Sequence, residues 1–272
     1  MIFTALIPLL SSPFPIGPSQ ARLADLDVFI YKPRNYRSKR MIMVMHGTLR
    51  NGAEYRDHSV NLAERTGALI VVPQFERPRF ANWQYNRGGV VNDRGEVQPA
   101  STWTYRYLPR VAAEVRQREG QIPFSIIGHS AGGQFLVRMA AFAKIGAAEI
   151  VAANPGSLLF PRTDWEFGYG FGGLTTPLSD SVAIRGYLAA PLTLYTGLDD
   201  DHLDEDLDNS PEANRQGLGR TQRAQACYAY AQALAAERGW KFNWRLIKVA
   251  GIGHDHEKMF EAPEAEVALF GR

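Results

Sequence analysis

Three observations predict an α/β domain, a sheet carrying helices on its faces. Short apolar runs rich in β-branched residues alternate with helical stretches along most of the chain. The run Pro123-Phe124-Ser125-Ile126-Ile127-Gly128-His129-Ser130-Ala131-Gly132-Gly133 reads as a buried strand, a turn of small residues and the start of a helix. The chain has 272 residues, 45% hydrophobic and 21% charged, with a mean hydropathy of −0.24, enough to bury a full core in one unit.

Residues 1–22 are the ambiguous part. Ile2 to Leu10 is apolar, and Ser19-Gln20-Ala21 has the small-residue spacing a signal peptidase accepts. No Lys or Arg precedes the apolar stretch, and Pro8, Pro13, Pro15 and Pro18 oppose a helix. An extended segment packed on the domain is the preferred expectation, with a cleaved export signal as the competing one. The expected location is cytoplasmic, or periplasmic or secreted if residues 1–21 are a signal. The apolar run is too short to span a bilayer.

From residue 23 to 272 the pattern predicts strands at 27–31, 41–45, 68–72, 123–127, 150–153, 192–195 and 242–249. Helices are predicted at 54–66, 104–119, 131–143, 221–238 and 256–270, with Gly239 as a C-cap. Two long stretches, 74–101 and 155–187, break this rhythm and leave the carboxyl ends of strands, where open α/β sheets bind ligands. They are expected to act as cap-like pocket walls. Their aromatics include Trp83 and Tyr85 in the first and Trp165 and Phe167 in the second, taken here as candidate substrate contacts.

Net charge is +2 with both signs interspersed, so no nucleic-acid surface is expected. The single cysteine, Cys227, excludes an internal disulfide and reads as apolar packing in a helix. The run Asp204, Glu205, Asp206 and Asp208 suggests a calcium loop, but Asn209 stands where the loop needs glycine and Arg215 where it needs glutamate. No His-Glu-x-x-His and no Cys/His cluster is present, so neither metal nor cofactor is expected. Nothing in one dimension indicates an oligomeric state.

Gly128-x-Ser130-x-Gly132 between a strand and a helix is a nucleophile elbow, in which small residues allow the serine a strained backbone and expose its hydroxyl. A serine needs a base, and the base an orienting acid. His202, His254 and His256 follow Ser130. His254, in Gly251-Ile252-Gly253-His254 after the last strand, is the expected base, with His256 the alternative. The acid should follow strand 192–195. There Gly197-Leu198-Asp199-Asp200 selects Asp200 over Asp199 and Asp201, and the two remaining carboxylates are expected to be solvated. The expected oxyanion donors are the backbone N–H groups of Ala131, after the nucleophile, and Thr48, in His46-Gly47-Thr48 after strand 41–45. His46 is expected to be a structural turn residue.

With these residues placed, the chain resembles the α/β-hydrolase superfamily, in particular esterases similar to poly(3-hydroxybutyrate) depolymerases and feruloyl esterases. The resemblance spans residues 26–260 and rests on Tyr31-Lys32-Pro33, Val44-Met45-His46-Gly47, the elbow, Ala153-Asn154-Pro155-Gly156, the 197–201 turn and Gly253-His254. It implies a mostly parallel sheet of about eight strands with helices on both faces, a triad of Ser130, Asp200 and His254, and an oxyanion hole at Thr48 and Ala131. Extracellular depolymerases of this type resemble multidomain secreted proteins with disulfides and a polymer-binding module. One cysteine and an end soon after His254 therefore point to small soluble esters, with an aromatic or hydroxyalkanoate part. An amidase, a peptidase, an acyltransferase or a silent binding protein on the same fold are the alternatives.

Overall fold

The computed structural model describes residues 12–37 and 39–271. Ile2 to Leu10 of the N-terminal expectation lie outside them. Eight strands form one sheet: β1 (Gly17–Leu23), β2 (Leu26–Lys32), β3 (Met41–Met45), β4 (Leu69–Pro73), β5 (Phe124–His129), β6 (Ile150–Ala153), β7 (Leu192–Gly197) and β8 (Arg245–Val249). Their order is β1-β2-β4-β3-β5-β6-β7-β8. The pairs β1–β2 and β2–β4 are antiparallel, and the rest of the sheet is parallel. This is the mostly parallel eight-stranded sheet that the sequence resemblance implies.

The alternation of patterns explains the layers. Strands β3, β4, β5, β6 and β7 are buried along their whole length, as parallel strands covered on both faces must be. One apolar cluster, including Met43, Leu108, Phe135 and Leu194, fills one face. A second, including Val44, Leu62, Ile127 and Phe260, fills the other.

Among the described residues, ten α-helices complete the frame: α1 (Gly52–Asp57), α2 (Val60–Thr66), α3 (Asn82–Tyr85), α4 (Tyr107–Glu119), α5 (Ala131–Phe142), α6 (Ser181–Leu188), α7 (Pro211–Asn214), α8 (Arg220–Arg238), α9 (His256–Glu261) and α10 (Glu264–Phe270). Gly239 ends α8 in the left-handed conformation at φ 64°, as its C-cap role requires. Two predicted helices are broken in two. The first bends at His58 and Ser59, where the Ser59 hydroxyl donates back to the Tyr55 carbonyl at 2.7 Å. The last breaks at Ala262, held extended at ψ 139° by the Pro263 that follows it.

β1 falls inside the segment the sequence sets apart as an extension. Gly17 and Pro18 open it, and Pro is tolerated there because β1 is an edge strand with one open side. Ser19, Gln20 and Ala21 pair with Ile30, Phe29 and Val28. Ahead of the strand, Phe14 is buried and its N–H donates to Glu119 Oε1 at 2.8 Å, while Lys32 Nζ holds the same carboxylate at 2.9 Å. No helix among the described residues is long and apolar enough to cross a membrane.

Candidate active site

β5 runs into α5 through Ser130, whose backbone stands at φ 56° and ψ −117°. That conformation costs a residue with a Cβ of order 1–3 kcal/mol and persists only where the surroundings enforce it. Close backbone approach enforces it here. A Cβ on Gly128 would lie 2.6 Å from the Gly132 backbone, one on Gly133 2.7 Å from the Ala153 carbonyl, and one on Gly132 would meet the Met45 and His46 carbonyls. The three glycines therefore let α5 press its first turn against the ends of β3 and β6. Ser130 N–H donates to the Ala153 carbonyl at 3.0 Å, which anchors the turn to the neighbouring strand.

The oxyanion candidates flank this serine. Ala131 opens α5, so its N–H has no intrahelical acceptor. Thr48 follows Gly47, which packs against Tyr55 close to the serine: a Cβ there would come 2.6 Å from the Tyr55 hydroxyl and 3.9 Å from Ser130 Cβ. Among the described residues no acceptor pairs with Thr48 N–H, while the Thr48 carbonyl is held by Arg77 Nη2 at 2.8 Å. His46 is fully buried, accepts from Phe75 N–H at 3.0 Å through Nε2, and is pushed down to about 3 by desolvation. It is a neutral brace for this loop, the turn role expected of it.

On the other side of the sheet's carboxyl edge, β7 ends in the acid turn and β8 in the histidine loop. His254 Nδ1 lies 2.7 Å from Asp200 Oδ2, and the Asp200 side chain is 2% exposed. This bond sets the proton on Nδ1 and leaves Nε2 as the basic nitrogen. The His254 ring stands 4.5 Å from that of His129, the residue before Ser130, so histidine and elbow occupy one place. His129 is itself buried and held well below the usual histidine range, by desolvation first and then by His254, His256 and Arg220, and stays neutral.

Of the three competing aspartates, Asp200 meets the histidine. Asp199 and Asp201 are both exposed, as expected, and Asp201 also accepts from Thr221 N–H at 3.1 Å at the start of α8. The alternative base, His256, stacks on Tyr55 at 4.0 Å and pairs with His58, with Nδ1 of His58 2.9 Å from its Nε2. Burial, and then His58, push His256 down to about 4.

Two residues that sequence reasoning missed hold this half together. Arg220, 1% exposed, donates to Asp200 Oδ1 at 3.1 Å and to Asp204 Oδ2 at 2.6 Å, so part of the acidic run serves as counter-charge for a buried guanidinium. Asn154, in the left-handed region at φ 43°, accepts from Gly197 N–H at 2.8 Å and donates to the Gly253 carbonyl at 3.1 Å. It ties the acid turn to the histidine loop. Gly197 has no room for a Cβ, which would strike the Ile252 carbonyl. The Asn-Pro-Gly after β6 was the one sequence signal that could have marked Asn154.

The aromatic candidates divide. Trp83 and Phe167 line one cavity of about 570 Å³ between the two long stretches, with Arg87, Asn92 and Glu166 beside them. Tyr85 does not contact a ligand space: it is fully buried, donates to the His46 carbonyl at 2.7 Å and carries Arg50 over its ring at 4.0 Å. Its role is to support the Thr48 loop from behind. Trp165 packs at a tilt against Phe160 at 4.8 Å, with Arg162 over its ring, and lines a separate depression with Tyr169 and Arg215. Tyr85 is the correction to the expected contact set, and Trp165 remains a candidate contact. Cys227 is buried, with burial pushing its thiol up, as expected of a packing residue. Among the described residues Glu54, His58 and His256 are the group whose ligand atoms could hold a metal ion.

An elbow serine, a histidine–aspartate pair at the neighbouring strand ends and a doubly braced loop beside them define a hydrolase of the serine esterase type on an α/β sheet. The chain belongs to the α/β-hydrolase superfamily, among its poly(3-hydroxybutyrate) depolymerase-like serine hydrolases. It is similar to the poly(3-hydroxybutyrate) depolymerase LpqC from Bordetella parapertussis, 32% identical over 95% of this chain and 92% of that one, with a TM-score of 0.84. It is also similar to poly(aspartic acid) hydrolase-1 from Sphingomonas sp. KT-1, 28% identical over 90% of this chain and 96% of that one, TM-score 0.83. The siderophore hydrolase EstA from Aspergillus nidulans, at 12% identity over 92% of this chain and 95% of that one and a TM-score of 0.54, shares the fold alone. No family model and no curated protein matches the chain.

Proposed function

We propose that the protein hydrolyses carboxylic esters by two-step acyl transfer, with Ser130 as nucleophile, His254 as base and Asp200 as orienting acid. The observation that carries this reading is the 2.7 Å bond from His254 Nδ1 to a buried Asp200, set beside a serine in the strained elbow conformation. His254 Nε2 takes the Ser130 proton as Oγ attacks the ester carbonyl. Negative charge gathers on the former carbonyl oxygen, between Thr48 N–H and Ala131 N–H. His254 then returns the proton to the leaving alcohol and the acyl group stays on Ser130. Water repeats the sequence, freeing the acid. Asp200 holds the imidazole tautomer and stabilises the imidazolium without taking its proton. None of these steps calls on a cofactor.

Esters with an aromatic or hydroxyalkanoate part are the proposed class, since Trp83 and Phe167 both line the cavity between the long stretches. The similar depolymerase and poly(aspartic acid) hydrolase are matched over 92% and 96% of their solved chains, so this chain's length does not argue against oligomeric or polymeric substrates. The second similarity also supports amide cleavage as a second reading, because the same groups attack an amide when the leaving nitrogen is protonated.

The test is hydrolysis of p-nitrophenyl esters from acetate to longer and aromatic acyl groups by the parent and by Ser130→Ala. The expected result is turnover by the parent with a fall of about 10⁴- to 10⁶-fold in the variant. Equal rates in both would remove the esterase reading, and activity on aspartyl amides alone would replace it with the second one.

A further inference from the structure

We propose that Glu54, His58 and His256 form a binding site for one divalent transition-metal ion of the zinc type, clamping the bend between α1 and α2 to the start of α9. It does not depend on the catalytic reading.

The site is assembled by two local rules and one long-range contact. Glu54 and His58 are four residues apart, and the His58 N–H bond to the Glu54 carbonyl at 2.8 Å keeps the helical geometry through both, so their side chains share a face. His256, first residue of α9, is brought to that face from 198 residues away. His58 Nδ1 and His256 Nε2 then lie 2.9 Å apart, and Glu54 Oε1 lies 3.9 Å from His256 Nε2. All three ligand atoms fall within 4.8 Å of one another. Two ligands of a tetrahedral zinc ion, each about 2.0–2.1 Å from the metal, stand roughly 3.3 Å apart, between the two observed separations.

The surroundings favour a metal over a bare histidine pair. Between two nitrogens at 2.9 Å only one proton fits, so at least one ring presents a lone pair to the other. An ion needs that lone pair from both rings, which requires the bridging proton to move to an outer ring nitrogen. His58 has a place for it: its Nε2 lies 3.7 Å from Glu257 Oε2, a carboxylate near enough to favour a proton on that nitrogen. Glu54 is prepared in the same way, since Asn51 Nδ2 holds Oε2 at 2.7 Å and leaves Oε1 for the ion. Two imidazoles and one carboxylate suit zinc, nickel or copper rather than calcium or magnesium, and leave a fourth position for water.

A bound ion would stiffen the layer behind the catalytic centre. His256 stacks on Tyr55 at 4.0 Å, and the Tyr55 hydroxyl abuts Gly47 and lies 3.4 Å from His129 Nδ1.

The test is calorimetric titration of the chelator-stripped, tag-free full chain with zinc chloride, repeated with Co²⁺ to read coordination geometry by absorption, and with thermal melts in both states. One ion per chain is expected, with a higher melting temperature when loaded. His58→Ala and the surface change Glu54→Gln should each weaken binding by about 10-fold or more and shrink the melting shift accordingly. His202→Ala and His254→Gln should leave both unchanged. No uptake by the parent, uptake indifferent to Glu54→Gln, or uptake lost in His254→Gln would each overturn the site.

Discussion

The elbow serine and the acid–histidine pair proposed to act with it are held in place by opposite means. At the elbow, position comes from missing side chains: Gly128, Gly132 and Gly133 let α5 close on β3 and β6 until backbone meets backbone. At the acid turn, position comes from added charge and amide, with Arg220 gripping Asp200 and Asp204 and Asn154 bridging Gly197 to Gly253. The elbow carries its strain in Ser130 itself and cannot relax, because its neighbours are strands. The acid turn stores nothing comparable, but it buries a cation that is stable only while both carboxylates stay in reach. A substitution should therefore act by collision on the first side and by abandonment of a charge on the second.

The largest effect is expected from Arg220→Met. Removing one partner of a buried ion pair typically costs about 3–5 kcal/mol, since the remaining charge is left without compensation. Chemical denaturation should show that loss and turnover should fall with it, whereas Arg220→Lys should recover part of both. Full stability in Arg220→Met would mean that the two carboxylates rely on solvent.

Gly132→Ala should cost about 1–3 kcal/mol by overpacking, and more in activity than in stability, because the added methyl pushes the first turn of α5 off the Met45 and His46 carbonyls. The contrast sharpens if the same change at Gly146, where no atom lies within 4 Å of an added Cβ, leaves turnover untouched. Gly146 has φ 76°, so a modest stability cost is still expected there.

The smallest effect concerns pH. His46 is ordinary in the unfolded chain, near 6.5, and is pushed down to about 3 when folded. The folded state therefore binds fewer protons, and the stabilisation present above about pH 6.5 is lost as pH falls toward 3. His46→Asn should flatten the fall in denaturation midpoint between pH 6 and pH 5 by about 1 kcal/mol, the scale of one proton over one pH unit. An unchanged slope would place the acid sensitivity elsewhere, as at His129 or His256.

The same division explains what could be read in one dimension. The elbow turn at Ser130 and the pairing of His254 with an aspartate after β7 were legible because the elbow needs small residues at fixed spacing and the chain order on this fold is serine, acid, histidine. Asp200 was reachable by counting from Gly197. Arg220 and Asn154 were not, for their partners lie 20 and 99 residues away and an arginine at the start of a helix reads as solvated. Edge strand β1 was hidden because Gly17 and Pro18 mark a turn unless the open side of an edge is known. Pro263 is the signal for the break that the predicted helix 256–270 runs through. Tyr85 shows the limit of composition: an aromatic in a pocket-wall loop serves the loop as readily as the pocket.

The central claim is that the elbow serine is the activated nucleophile and that the braced acid–histidine pair activates it. Mass mapping of the chain after reaction with a fluorophosphonate probe tests this most directly. The account predicts a single adduct on Ser130, formed quickly by the parent and slowed strongly in Asp200→Asn and His254→Gln. An adduct on another residue, or labelling of Ser130 at the same rate in all three, would contradict it.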